Sequence, residues 1–324
     1  MFFVDIIRLS TLITGLTIAC IITSVGSSSA HAQTLLKTIG SPGSGNGQLN
    51  NPSGVVLDTK GNLYVVDTGN NRIQVFDTNG KFIRTWGSFG TGDGQFNNPI
   101  GITVDYARGY VYVTDTGNNR VEKFTSDGTF ITKWGSFGKG DGQFNTPIGI
   151  DEDEAKQNVY VTDVGNNRVQ RFASNGLFVS QWGSIGSGPG QFNNPGRVAI
   201  DPSGNVFVAD FGNDRIQKFD SNGKFINMWG SLGQGDGQFY FPTGMTVQYP
   251  QGKVYVVDTG NRRVQEFSND GKFVNKWELP NTIASGSLVG VDIDVNTAGT
   301  IFLTDWSKDN ISVISPPSAT QKLT

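Results

Sequence analysis

The chain of 324 residues has a single cysteine, Cys20, and a single histidine, His31. One thiol cannot form an intramolecular disulfide, and the two residues together are too few for a zinc site built from Cys and His side chains. Both lie within the first 32 residues, so a chain without that segment also lacks Ser-His and Cys-His nucleophile pairs and the usual general base at neutral pH. Catalysis that depends on an imidazole or a thiolate is therefore excluded for such a chain.

Positive charge and long apolar stripes are scarce as well. The 25 Lys and Arg residues are outnumbered by 28 Asp and Glu residues, the formal net charge is −3, and no basic run occurs. We therefore expect no nucleic-acid partner, because phosphate binding requires concentrated positive charge. The apolar residues fall in short runs punctuated by 44 glycines, a composition typical of turn-rich all-β proteins.

The first 32 residues differ from the rest of the chain. Arg8 precedes an apolar stretch at 12–22, and a small and polar segment then ends in Ala-His-Ala at 30–32. This pattern predicts a secretory signal peptide, residues 1–32, cleaved before Gln33, and hence a secreted, extracytoplasmic protein with no stable membrane insertion after cleavage. The alternative is an uncleaved N-terminal anchor, although the apolar stretch is short for a membrane span.

The remaining chain repeats one unit of 47 or 48 residues. An Asp that ends an apolar run and a Trp that ends each unit both recur with this step, and Ile39 stands one step before the first Trp. The positions are Asp67, Asp115, Asp163, Asp210, Asp258 and Asp305, and Trp86, Trp134, Trp182, Trp229 and Trp277. A fixed period indicates a repeat architecture, here with six units.

Each unit predicts four strands, named a to d, because its hydrophobicity alternates with the period of two. In the second unit they are 100–105, 111–115, 120–125 and 130–134. A four-stranded sheet cannot cover both of its faces alone, and radial stacking of such sheets gives a propeller. We therefore predict an all-β, six-bladed β-propeller over residues 33–315, followed by a disordered tail at 316–324.

The two ends of the repeat region predict how the ring closes. The sixth unit stops after its third strand, near 311–314, whereas an isolated fourth strand stands at 34–39. Pairing of these segments completes the last blade and removes open sheet edges.

The Asp-containing turns carry a resemblance to a known family. Asp-Thr-Gly-Asn-Asn-Arg at 67–72 and 115–120 and Asp-Val-Gly-Asn-Asn-Arg at 163–168 have close variants at 210–215 and 258–263. With these motifs the chain resembles the NHL-repeat family of six-bladed propellers over residues 34–315. The resemblance leaves function open, because such propellers include protein-binding, RNA-binding and enzymatic members.

Each b-to-c turn offers an Asp and, five residues later, an Arg. Five arginines on one face could bind an anion, but a feature present in nearly every blade is better explained as a structural pair that staples the turns. The pairs are Asp67 with Arg72, Asp115 with Arg120, Asp163 with Arg168, Asp210 with Arg215, and Asp258 with Arg263. The sixth unit has Asn310 in place of the arginine.

Strand a, which lines the channel of a propeller, departs from the repeat at four candidate binding residues. Asp151 and Glu152 lie in the third unit, Arg197 replaces a glycine in the fourth, and we place Asp292 at the position of Thr103. They could hold Ca²⁺, as lactonase-like and strictosidine-synthase-like propellers do in their channel. Alternatively, Arg197 pairs with Asp151 or Glu152 in the adjoining blade. We expect no metal and no cofactor there.

The d-to-a loops lie on the same face as the b-to-c turns, and together they form what we call the top face. These loops are 87–97, 135–145, 183–193 and 230–240. Their Asp93, Asp141 and Asp236 are too dispersed for a Ca²⁺ site. The recurring Phe residues of these loops are predicted to plug the gaps between blades; they are Phe96, Phe144, Phe192 and Phe239.

Two functions follow from these observations. The favoured one is a secreted, monomeric, non-catalytic module whose top-face loops bind an extracellular protein or glycan. The alternative is an extracytoplasmic hydrolase or lyase, lactonase-like, with a Ca²⁺-bound carboxylate site in the channel. Resemblance to peptidylglycine amidating lyase and streptogramin lyase would imply active-site histidines, which the chain after residue 32 lacks. No catalytic residue is assigned.

Overall fold

Six four-stranded antiparallel sheets contain nearly all strands of this computed structural model. The structure describes residues 34–279 and 292–315. The expected signal peptide, residues 1–32, and the expected disordered tail, residues 316–324, lie outside these residues. Within the two described ranges, no helix is long and apolar enough to cross a membrane.

Each sheet is one blade of the propeller, and the strands expected in the second unit are confirmed to within one residue. Strands a, b, c and d, in that order, are Pro52–Leu57, Leu63–Asp67, Arg72–Phe76 and Phe82–Trp86 in blade 1; Pro99–Asp105, Tyr110–Asp115, Arg120–Thr125 and Phe130–Trp134 in blade 2; and Pro147–Asp153, Asn158–Asp163, Arg168–Ala173 and Phe178–Trp182 in blade 3. In the same order they are Pro195–Ile200, Val206–Asp210, Arg215–Phe219 and Phe225–Trp229 in blade 4; Pro242–Gln248, Lys253–Asp258, Arg263–Phe267 and Phe273–Glu278 in blade 5; and Ile293–Val295, Ile301–Asp305, Asn310–Ile314 and Leu35–Ile39 in blade 6.

The blades form a closed ring, which confirms the predicted six-bladed propeller. The strands a contact one another in cyclic order, from blade 1 to blade 6 and back to blade 1. Strand b is buried on both faces because neighbouring blades sandwich it, whereas strand d at the periphery alternates half-buried and exposed residues. The four Phe residues expected between blades are fully buried: Phe96, Phe144, Phe192 and Phe239.

The connections divide between two faces of the ring. The top face carries the d-to-a loops and the b-to-c turns, and the opposite face, which we call the bottom face, carries the a-to-b and c-to-d turns. The b-to-c turns contain short 3₁₀ segments: Thr68–Asn70, Thr116–Asn118, Val164–Asn166, Phe211–Asn213 and Thr259–Asn261. In blade 2 the following residue, Asn119, has φ 52°, a left-handed conformation that Asn tolerates better than most residues.

The Trp that ends strand d packs beneath the c-to-d turn of the next blade. Gly128 in that turn has φ +93°, and a Cβ there would stand 2.7 Å from the indole of Trp86. Glycine therefore permits both the turn and the contact. The same contact joins Trp134 to Gly176, Trp182 to Gly223 and Trp229 to Gly271.

The N-terminal strand closes the ring as expected. Leu35–Ile39 pairs antiparallel with Asn310–Ile314 and becomes strand d of blade 6. Ile39 is 1% exposed, and a Cβ on Gly80 would lie 3.0 Å from it. Ile39 thus packs against blade 1 as each Trp packs against the blade that follows it.

We predict that the buried end of this strand keeps the ring closed. Ile39→Ala should lower the free energy of unfolding by about 2–5 kcal/mol, because it leaves a cavity between blades 6 and 1. The matched control is Leu36→Ala in the same strand, whose side chain is 54% exposed and whose loss should cost less than about 0.5 kcal/mol. Chemical denaturation measures both. Equal effects of the two substitutions, or cooperative unfolding unchanged after deletion of residues 33–40, would contradict this role.

Candidate functional site

The arginines of the b-to-c turns are committed to protein acceptors. In blade 2, Arg120 Nε donates to Asp115 Oδ2 over 2.7 Å. Its Nη1 donates to the Thr91 carbonyl over 2.6 Å, and its Nη2 donates to the Gly92 and Gln95 carbonyls over 2.8 and 2.6 Å. One guanidinium therefore links the turn of its own blade to the loop that arrives from the preceding blade.

The same arrangement recurs in the other four blades that carry the pair. The Nε to Oδ2 distance is 2.6 Å for Arg72 with Asp67, 2.7 Å for Arg168 with Asp163, 2.8 Å for Arg215 with Asp210 and 2.7 Å for Arg263 with Asp258. In each case Nη1 and Nη2 donate to carbonyls of the d-to-a loop. This geometry opposes an anion site and favours the structural role expected from the repeat.

Blade 2 carries one charged departure beside this network. Four blades place a glutamine two residues after the arginine, as in blade 3, where Gln170 Nε2 donates to the Gln143 carbonyl over 2.6 Å. Blade 2 has Glu122, which is fully buried, accepts from Gly94 N over 3.0 Å and pairs with Arg120. Burial raises the pKa of Glu122 to about 7, although the charge of Arg120 opposes the shift.

The central channel contains a cavity of about 910 Å³, lined by strand a of all six blades and reaching the a-to-b turns of the bottom face. Strand pairing sets the level of each side chain in this wall. Thr103, Asp151 and Asp294 lie at one level, because each stands opposite an aromatic residue of strand b. Asp294 therefore occupies the position of Thr103, and the expectation that Asp292 occupies it was wrong.

Arg197 and Asp292 share a different level, that of Gly101, and form an ion pair. Arg197 Nε lies 3.3 Å from Asp292 Oδ1, and both side chains are 8% exposed. The expected pairing of Arg197 with Asp151 or Glu152 was therefore wrong. Asp292 stands at the level of Arg197, and its second oxygen accepts from Val55 N over 3.2 Å.

Asp151 and Asp294 face the cavity from opposite blades, but their oxygens are occupied. Asp151 accepts from Thr103 Oγ1 over 2.9 Å and from Ile200 N over 2.8 Å. Asp294 accepts from Thr246 Oγ1 over 3.1 Å and from Leu57 N over 2.8 Å. These bonds tie strands a of neighbouring blades together.

The electrostatics of the channel favour protonation of these carboxyls. Burial raises the pKa of Asp151 to about 7 and that of Asp294 to about 6. Burial also raises the pKa of Asp292, although Arg197 opposes the shift. Among the described residues, three acidic side chains do converge, but they are Asp105, Glu152 and Glu154 at the bottom face. Of the four predicted site residues, Glu152 thus belongs to this cluster, whereas Arg197 and Asp292 pair with each other.

Asp294 was not among the residues predicted from the sequence, although the period of the repeat identifies it. Steps of 48, 48, 47 and 48 from Thr103 pass through Asp151, Ala199 and Thr246 and end at Asp294. Each of these residues lies opposite the same position of strand b.

The top face also carries a set of exposed apolar side chains that were not predicted from the sequence. They follow the Gly-Ser pair of four d-to-a loops and are Phe89, 71% exposed, Phe137, 71%, Ile185, 73%, and Leu232, 64%. The signal was a large apolar residue that recurs between glycines, where a loop would otherwise carry a polar one.

The backbone holds these apolar side chains outward. In the second loop, Gly138 N donates to the Phe144 carbonyl and Phe144 N to the Ser136 carbonyl, over 2.9 and 2.8 Å. Asn166 Nδ2 donates to the Gly138 carbonyl over 2.8 Å. Phe144 is buried while Phe137 is exposed, so the loop is anchored on one side and displays an apolar side chain on the other.

Comparison with known proteins identifies the repeat. The family model described as NHL repeat matches residues 49–76, 96–124, 192–219 and 239–267. Protein lin-41 of Caenorhabditis elegans is 48% identical over 46 residues, which are 14% of this chain and 4% of that protein. The chain thus matches only a small part of this curated relative.

Solved structures of enzymes and of a protein complex share the fold. Streptogramin B lyase has a TM-score of 0.59 at 15% identity, covering 87% of each chain. A gluconolactonase from Xanthomonas campestris has 0.60 at 14%, covering 83% of this chain and 87% of that one. A chain of the nidogen/laminin complex has 0.54 at 19%, covering 70% of this chain and 80% of that one. At these identities the likeness shows the fold alone.

We predict that Glu122→Gln in blade 2 stabilises the protein, and the reverse substitution in blade 3 serves as its control. The pKa of Glu122 is higher in the folded chain than in the unfolded one, so its contribution to stability is lost as pH rises from about 4.5 to about 7. Glu122→Gln removes this loss and restores the amide that other blades use. It should raise the free energy of unfolding by about 1–3 kcal/mol at pH 7.5, with a smaller gain at pH 4.5.

Gln170→Glu is the reverse substitution in blade 3 and should destabilise at pH 7.5. Denaturation curves of both variants at the two pH values test the pair. A destabilising Glu122→Gln at pH 7.5 would show that the ion pair with Arg120 outweighs the amide contacts.

Proposed function

We propose that this six-bladed propeller of NHL repeats is a non-catalytic binding module that holds an extracellular protein on its top face. The observation that supports this function most directly is the set of four exposed apolar side chains, Phe89, Phe137, Ile185 and Leu232, at equivalent positions in consecutive loops. Exposed apolar side chains that together form a patch with a polar rim mark interaction sites on soluble proteins.

The polar rim is present in the same loops. Lys133 Nζ lies 2.8 Å from Asp93 Oδ1, and Lys276 Nζ lies 2.6 Å from Asp236 Oδ1. The two charges within each pair neutralise each other, so these pairs add no net charge to the rim. A protein surface with apolar side chains is therefore a better match than a strongly charged ligand, and a glycan is the alternative partner.

Rigid loops make such a surface effective. Binding costs less conformational entropy when the contact residues are already held in place. Here the loop backbones are tied to buried phenylalanines and to the arginines of the b-to-c turns.

Secretion is part of the proposal. It is supported by the apolar stretch and the Ala-His-Ala pattern in residues 1–32. The described ranges contain neither a cysteine nor a histidine, which favours binding over catalysis by an imidazole or a thiolate.

One observation favours the lactonase-like alternative. The cavity of about 910 Å³ is faced by Asp151 and Asp294, whose pKa values are raised to about 7 and 6. Perturbed carboxyls in a cavity are common at active sites. Against it, the oxygens of both carboxylates accept hydrogen bonds that join neighbouring blades, so a structural role already accounts for them.

The test replaces the apolar side chains without touching the fold. The double variant Phe89→Ser, Phe137→Ser should lose a partner captured by the wild type from extracellular medium, and the Kd for that purified partner should rise at least about tenfold. The control is Ile131→Ser, Val179→Ser on the periphery, where the side chains are 42% and 44% exposed. It should bind like the wild type, and both doubles should keep the wild-type melting temperature.

Equal binding by the wild type and the top-face double variant would contradict the proposed site. Hydrolysis of a lactone by the wild type, lost in Asp294→Asn but kept in the top-face variant, would support the enzymatic alternative instead.

A further inference from the structure

Three carboxylates converge at the bottom face, between blades 2 and 3. Asp105 ends strand a of blade 2, Glu152 lies next to the end of strand a of blade 3, and Glu154 follows that strand. One oxygen of each lies within 4.8 Å of the others. The site is therefore formed by two neighbouring blades, on the face opposite the exposed apolar loops.

Glu152 is the unusual member of the group. It is 5% exposed, yet neither of its carboxylate oxygens has a hydrogen-bond partner. A buried, unpartnered carboxylate is costly, and such groups require a specific explanation. Burial, and then the charge of Asp105, raises the pKa of Glu152 to about 8, which expresses the same cost.

Comparison with the other blades shows that packing does not require this carboxylate. Strand pairing places Glu152 opposite Val159. The equivalent residue of every other blade is a buried aliphatic one: Leu57, Val104, Ile200, Val247 and Val295. At this position blade 3 thus has a carboxylate side chain where the other blades have a buried aliphatic one.

The positive charge nearby does not balance the cluster. Arg108 Nη1 lies 3.2 Å from Asp105 Oδ2, and its side chain is 34% exposed. Lys123 Nζ donates to the Ser174 carbonyl over 2.9 Å. Glu154 Oε1 accepts from Tyr106 N over 2.6 Å, which fixes this carboxylate beside the other two without neutralising it.

We propose that Asp105, Glu152 and Glu154 bind a hard divalent cation of the Ca²⁺ type between blades 2 and 3. Such cations prefer carboxylate, carbonyl and water oxygens, and the unpartnered oxygens of Glu152 supply what the cation would require. The bound ion would join two blades beside the mouth of the cavity, where Glu152 and Glu154 contribute to the lining. This site is distinct from the channel pair Arg197–Asp292 and does not depend on the proposed binding function.

Glu152→Val tests the site because it restores the aliphatic residue of the other blades. In chelator-treated protein, CaCl₂ should raise the melting temperature of the wild type by at least about 2 °C, since a ligand that binds only the folded state stabilises it. Calorimetry should give one ion per chain. Glu152→Val should lose both responses, yet its metal-free melting temperature should exceed that of the metal-free wild type, because the buried unpaired carboxylate is gone.

Asp292→Asn is the control for the channel and should keep the calcium response. Absence of any shift or heat with CaCl₂ or MgCl₂ in the wild type would overturn the proposal. A calcium response that survives in Glu152→Val would overturn the proposal as well. If that response is also lost in Asp292→Asn, the ion lies in the channel. A response to MgCl₂ alone, lost in Glu152→Val, would keep the site but change the ion.

Discussion

The buried carboxylate of each b-to-c turn is the group on which the top face depends. In blade 2, Asp115 is fully buried and accepts from Asn97 N, Asn118 Nδ2 and Arg120 Nε, each over 2.7 Å. Arg120 in turn holds three carbonyls of the loop that carries Phe89. Buried ion pairs contribute little net stability compared with apolar packing, but they demand one geometry. The network therefore fixes the conformation of the loops it holds, including the loop that displays Phe89.

The Asp–Arg pair of the b-to-c turn and the exposed apolar residue of the d-to-a loop do not recur in every unit. Blade 6 lacks the arginine, and its Asp305 instead accepts from Ser307 Oγ over 2.8 Å within its own turn. In the loop before blade 1, Pro42 stands where the later loops have Phe89 or Phe137. Within the two described ranges, the large exposed apolar side chains that follow a Gly-Ser pair therefore lie in the loops before blades 2–5.

The fold could be predicted from the sequence because it follows from a period, whereas the site depends on register and on exceptions. The recurring Asp and Trp predicted the blade number, and Ile39 predicted the closure. Asp292 was misplaced because the period of the repeat, which leads from Thr103 to Asp294, was not followed along strand a; the pairing with strand b makes the correct level explicit. The sequence could not predict that neither oxygen of Glu152 has a hydrogen-bond partner, because side chains of two blades surround this carboxylate. Phe89 and its equivalents were overlooked because loops were interpreted only as turns.

Site-specific photo-cross-linking tests the central claim, that the top face binds a protein, most directly. A benzophenone amino acid placed at Phe137, which is 71% exposed on the top face, is compared with the same group at Val179, 44% exposed on the periphery. Irradiation in extracellular medium should give one discrete protein adduct from position 137 and none from position 179. Adducts of equal yield from both positions, or from position 179 alone, would contradict the account.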